Sequence, residues 1–99
     1  MTEMDIKENL KYIISNIKEC AIFFINDSNV SEELKIKLKL FDFNLHSNFT
    51  KESLYEIFNQ LFDLTEKLDY KFYEHLFRLD KYGYNITHYF SFLSKIIFY

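Results

Sequence analysis

The sequence is nearly devoid of the two residues that most often mark turns and linkers. Proline is absent, and glycine occurs once in 99 residues, at Gly83. Turn-rich sheets and flexible linkers depend on these residues, so their scarcity argues against both. Helices joined by short polar connections fit this composition better.

Cysteine, net charge and long apolar runs are also scarce. The single cysteine, Cys20, excludes an internal disulfide and lies in an apolar helical pattern, so we expect a small buried side chain. The net charge of −3 is too small to indicate a nucleic-acid partner. The chain has a charged N-terminus and no apolar run of about 18 residues, which favours a soluble cytoplasmic protein without a membrane span.

Aromatic residues are abundant, with 12 phenylalanines and 8 tyrosines. Phe, Tyr, Ile, Asn and Lys dominate the whole chain, as an A+T-rich genome would encode, so this richness alone is no functional signal. A domain of this length is near the lower limit for an independent core, and dimerisation would supplement it.

Apolar residues recur with a helical period, which predicts an all-α protein: a compact bundle of four or five helices. N-terminal caps are expected at Ser31, Thr50 and Asn85, and in a capping-box pair of Thr2 and Asp5. We expect a single helical domain over residues 1–99, with helices near 3–26, 31–44, 50–67, 70–82 and 86–98.

The first helix has a regular apolar seam, formed by Ile6, Leu10, Ile13, Ile17, Cys20 and Phe24. Its last residues, 21–25, are apolar on all sides, so we expect them to be buried from every direction.

Residues 50–82 contain neither glycine nor proline and form the longest periodic stretch. Their core face is expected to carry Leu54, Ile57, Phe58, Leu61, Phe62, Leu64 and Leu68. A helical pattern much longer than about 25 residues is unusual in a compact domain, so we expect a break between Glu66 and Tyr70. Gly83 is expected to end the stretch in a left-handed conformation.

Residues 34–40 alternate between apolar residues and lysines, which also fits a short strand near 34–40 in an α+β fold. We predict a helix, because Ser31 precedes the segment as a cap and no second convincing strand exists to pair with it. Lys35, Lys37 and Lys39 would then spread over two helix faces, which makes a poor track for phosphates.

Two apolar stripes follow the expected break. Leu68, Phe72, Leu76 and Leu79 form the first, which suffices for a core, while the second consists of Tyr70, Tyr73 and Phe77. We expect the second stripe to be a self-association or partner interface and the protein to be a homodimer. In the alternative, the last helix covers this stripe internally with Phe90, Leu93 and Ile97.

The outer face of the central helix carries an acidic ridge of Glu52, Glu56, Asp63 and Glu66. Such a ridge could bind a basic protein surface, although a solvated helix face explains it as well.

Residues for catalysis or metal binding do not form a recognisable pattern. The histidines His46, His75 and His88 lack ligand spacing, so no metal or cofactor is expected. His75 and Arg78 lie one turn apart, which is more typical of a structural or solvated pair than of a catalytic one.

We therefore expect a non-enzymatic protein–protein interaction module. A small regulator, an immunity or antitoxin-type protein, or an inhibitor encoded by a virus or mobile element would act in this way. The alternative is a nucleic-acid-associated helical subunit that uses Lys35, Lys37 and Lys39.

Overall fold

The computed structural model describes residues 3–46 and 49–98, which form five α-helices and no strand. The helices are α1 (Glu3–Ile25), α2 (Glu32–Asn44), α3 (Lys51–Lys67), α4 (Lys71–Leu79) and α5 (Ile86–Phe98). The predicted all-α fold is confirmed, including a helix over 34–40. Within these ranges, no helix is long and apolar enough to cross a membrane.

Three of the predicted helix caps are confirmed. Ser31, Thr50 and Asn85 each accept a hydrogen bond from the backbone N–H three residues ahead, at 3.1 to 3.2 Å. The Thr50 N–H in turn donates to Ser53 Oγ at 2.8 Å, which completes a capping box. The predicted Thr2 cap lies outside the described residues.

The five helices enclose one apolar core. Helix α1 packs on α2 and α4, α3 packs on α5, and α2 and α4 both contact α3. Leu68, Phe72 and Leu76 are buried, which confirms the first stripe as core. Cys20 is also fully buried, with its Sγ 3.3 Å from the Phe72 carbonyl oxygen, and burial raises the pKa of its thiol. The thiol is therefore part of the packing between α1 and α4.

The predicted break in the central stretch is confirmed between α3 and α4. Asp69 and Tyr70 bridge the two helices with φ angles of 53° and 69°, both in the left-handed region. An L-residue in this region costs about 1–2 kcal/mol, which aspartate offsets more readily than tyrosine. The two residues redirect the chain and leave the Tyr70 ring exposed.

Helix α4 ends at Leu79, earlier than the predicted residue 82, and Gly83 is not its cap. The Asp80 carboxylate accepts hydrogen bonds from the N–H groups of Tyr82 and Tyr84, at 2.9 and 3.2 Å. These bonds fold the chain into a loop immediately after Leu79. Gly83, with a φ of 73°, lies inside this loop.

The prediction that residues 21–25 are buried from every direction is wrong. Ile22 and Phe23 are 39% and 49% exposed, whereas Ala21 and Phe24 are buried. Both α2 and α4 pack on α1, but near its end they leave Ile22 exposed and cover Phe23 only on the side where its ring stacks on His75 of α4.

Candidate functional site

The break between α3 and α4 forms an open groove of about 490 Å³, which we call the elbow groove. Its lining consists of Phe62, Thr65, Glu66, Asp69 and Tyr70. The rings of Phe62 and Tyr70 are 54% and 62% exposed. Two accessible aromatic rings therefore stand beside two carboxylates in a single concave surface.

Backbone hydrogen bonds hold the elbow groove in shape. The Tyr70 N–H donates to the Thr65 carbonyl oxygen at 3.1 Å, and the Lys71 N–H donates to the Leu68 carbonyl oxygen at 3.0 Å. The Thr65 hydroxyl donates to the Phe62 carbonyl oxygen at 2.8 Å, so its proton is not free to bond a ligand. Both charged side chains of the lining are acidic. Carboxylates beside aromatic rings attract cations.

The elbow groove joins residues from two surfaces that were predicted separately. Tyr70 comes from the second aromatic stripe, and Glu66 comes from the acidic ridge. The other members of that stripe follow along α4. Tyr73 is partly buried, with its ring 5.4 Å from that of Tyr70, and Phe77 is 49% exposed.

Helix α5 does not use Phe90 to cover the second stripe. The Phe90 ring instead lies 5.2 Å from Phe58 and 4.7 Å from Phe62, both on α3. Since Tyr70 and Phe77 stay exposed, the stripe is accessible to another molecule. Its role as an interface stays a prediction.

The acidic ridge is exposed at Glu52, Glu56 and Glu66. Asp63 is only partly exposed, and its Oδ2 lies 3.6 Å from the Lys67 ammonium on the next turn. Asp63 is therefore partly neutralised within the chain, and the ridge presents its strongest negative charge at its two ends.

An aromatic face between α3 and α5 borders this ridge, and no pattern in the sequence predicted it. Consecutive ring contacts of 4.7 to 6.5 Å connect its members. Phe62 and Phe98 are more than half exposed, so Phe62 is not the core residue that was predicted. The face is formed by Tyr55, Phe58, Phe62, Phe90 and Phe98.

The lysines of α2 are spread around the helix, as the helical prediction implies. The Lys35 ammonium lies 3.8 Å from the Glu32 carboxylate, whereas Lys37 approaches Lys67 on α3. Hydrogen bonding with Lys67 and repulsion from its charge lower the pKa of Lys37. Lys35 and Lys37 therefore have different neighbours and do not share one basic surface.

His75 contributes to packing. Its ring stacks on that of Phe23, with the centroids 4.0 Å apart and the planes inclined by 16°. Burial and the nearby Arg78 charge lower the pKa of His75 and favour its neutral form. Across 3–46 and 49–98, no three His, Cys, Asp or Glu side chains come together to hold a metal ion.

A polar network around Asp80 anchors the loop between α4 and α5. The buried Tyr89 hydroxyl donates to Asp80 Oδ2 at 2.5 Å and accepts from Asn16 Nδ2 at 2.8 Å. Burial alone would raise the pKa of Asp80, but hydrogen bonds from Tyr89 and from two loop N–H groups lower it. These hydrogen bonds lie within the chain, so the carboxylate stabilises the loop and is not a candidate for binding a ligand.

The elbow groove is therefore the described surface in which geometry and charge converge best on a ligand type. Comparison of the chain with family models, curated proteins and solved structures found no significant match.

Proposed function

We propose that the protein is a non-enzymatic protein-binding module whose elbow groove receives an arginine or lysine side chain of a partner. The single observation that carries this proposal is the pairing of two exposed rings with two carboxylates in a groove of about 490 Å³. A cation above an aromatic ring gains about 0.5–2 kcal/mol, depending on its desolvation. Arginine fits best, because its planar guanidinium can stack on a ring while hydrogen-bonding a carboxylate.

The surroundings of the elbow groove support a protein partner over a small cation. The aromatic face shares Phe62 with the groove and extends the apolar area toward Phe98. Glu52 and Glu56 extend the negative charge along α3. The complementary partner surface would be apolar with basic residues around it, and arginine is enriched at such interfaces.

The left-handed conformation of Tyr70 also supports the proposal. Glycine would adopt a φ of 69° with much less strain, yet an aromatic residue occupies this position. Backbone strain of this kind often lies at binding sites, where it holds a side chain in its working position. This mode of action suits a small cytoplasmic regulator, an immunity or antitoxin-type protein, or an inhibitor encoded by a virus or mobile element.

Neutralising the groove tests the proposal. We expect Glu66→Gln with Asp69→Asn to weaken binding of an affinity-captured partner at least about tenfold, because it removes both carboxylates. Asparagine tolerates the left-handed conformation at position 69. Binding would be measured by titration calorimetry with the purified partner.

The matched control is Glu8→Gln with Glu19→Gln, which makes the same charge change at two exposed positions of α1. This control should retain wild-type affinity. Equal affinities for all three proteins would contradict the groove as the binding site, and salt-dependent binding of nucleic acid would favour the alternative function.

The homodimer is a separate proposal, which the exposure of Tyr70 and Phe77 supports. Tyr73→Glu with Phe77→Glu should abolish dimerisation through this stripe in sedimentation velocity while the protein stays folded, since a charge would enter an apolar contact. A double variant that dimerises as well as the wild type would place the interface elsewhere.

A further inference from the structure

A second groove lies along α1, on a surface that neither the predicted interface nor the proposed function uses. It has a volume of about 480 Å³, and Leu45 and Phe49 form its other wall. Leu10 and Ile14 contribute apolar surface from α1. We call this surface the α1 groove.

Lysines line the α1 groove on one side. Lys7 and Lys11 are exposed, and Lys18 is partly exposed with its Nζ 3.2 Å from His46 Nδ1. On a helix their separations of four and seven residues correspond to about 6 and 10 Å along the axis. A chain with a net charge of −3 thus concentrates positive charge beside an apolar floor.

The acidic ridge of α3 repeats this spacing with the opposite charge. Glu52, Glu56 and Asp63 are also separated by four and then seven residues. An α3 helix lying parallel to α1 would therefore bring Lys7 opposite Glu52 and Lys11 opposite Glu56 in one register. The reversed direction would match only part of the series, so the charge pattern selects an orientation.

We propose that a second copy of this chain docks the acidic ridge of its α3 in the α1 groove. The apolar floor would be shielded from water by the docked helix, and the lysines would neutralise the ridge. Groove and ridge are different patches, so the contact is heterologous and joins copies head to tail into a ring or a filament. The proposal does not depend on the elbow groove, because Glu66 and Asp69 are not needed for it.

Paired charge reversals test this contact directly. Lys7→Glu with Lys11→Glu makes both surfaces acidic, and Glu52→Lys with Glu56→Lys makes both surfaces basic. Each variant alone should lose the head-to-tail association in sedimentation velocity at concentrations where the wild type forms it. An equimolar mixture of the two variants should associate again, because each groove then meets a ridge of opposite charge.

Circular dichroism establishes whether each variant is folded. Lys7→Gln with Lys11→Gln is a milder variant, which removes the positive charges without reversing them and should weaken the association. The head-to-tail association should persist in a background that carries Tyr73→Glu with Phe77→Glu, which removes only a dimer through the α4 stripe and so separates the two contacts. A wild-type protein that remains monomeric at millimolar concentration would overturn the proposal. Folded charge-reversal variants that fail to associate on mixing would overturn it as well.

Discussion

Asp80→Ala is expected to lower the free energy of unfolding by about 3 kcal/mol, because one buried hydroxyl and two loop N–H groups lose their acceptor. The Tyr89 hydroxyl is fully buried and loses its acceptor at Asp80 Oδ2, while the N–H groups of Tyr82 and Tyr84 lose the bonds that shape the loop. Such a loss is a large part of the roughly 5–15 kcal/mol available to a small domain. Urea unfolding followed by circular dichroism measures it.

A double-mutant cycle with Tyr89→Phe identifies the bond responsible. Tyr89→Phe also destabilises the protein, because Asp80 Oδ2 and Asn16 Nδ2 lose the hydroxyl that joins them. The two substitutions remove the same hydrogen bond, so their combined effect should be smaller than the sum of the single effects. Additive effects would show that Asp80 and Tyr89 act independently.

The acid dependence of stability provides a further measurement on Asp80→Ala. Hydrogen bonds hold the pKa of Asp80 in the folded protein below its ordinary value of 3.8. The ionised carboxylate therefore contributes stability that is fully present above the pKa of the unfolded chain, and the contribution is lost as the pH falls through the folded-state pKa. The stability difference between wild type and Asp80→Ala should stay constant near neutral pH and narrow below about pH 4.

Local features of the sequence predicted most of the fold. Ser31, Thr50 and Asn85 act as caps because each bonds an N–H only three residues away, so neighbouring residues suffice to specify them. The helix over 34–40 follows for a related reason, since its cap and helix-forming residues outweighed the alternating pattern. Periodicity also separated buried Phe72 from exposed Phe77.

Other features depend on contacts between residues far apart in the sequence, which a local pattern does not predict. Asn16 and Tyr89 meet across 73 positions of sequence, and their network with Asp80 ends α4 before Gly83. Phe62 lies at the edge of an apolar arc, so whether it is buried depends on which part of α3 the helix α5 covers.

The elbow groove could be predicted only in part. Glu66 and Tyr70 were identified, but in separate surfaces, because their meeting depends on consecutive left-handed residues at a position without glycine. The lysines of the α1 groove were visible in the sequence at helical spacing, yet the wall formed by Leu45 and Phe49 required the tertiary structure.

The two stripes of α4 can be compared with one type of substitution. Phe72→Ala should lower the free energy of unfolding by about 3–5 kcal/mol, because it leaves a cavity beneath a fully buried ring that stacks 5.7 Å from Phe24. Phe77→Ala removes the same atoms from a ring that is 49% exposed, so its effect in the monomer should stay near 0.5 kcal/mol.

Urea unfolding at low protein concentration, where any dimer dissociates, measures both variants. Phe72→Leu keeps much of the buried volume, so it should lower the free energy of unfolding by less than about 1.5 kcal/mol. This variant still measures the packing of the first stripe if Phe72→Ala does not fold. Comparable losses for Phe72→Ala and Phe77→Ala would mean that both faces of α4 are buried within one chain. In that case the second stripe would be internal core, and neither a dimer nor a partner could use it without local unfolding.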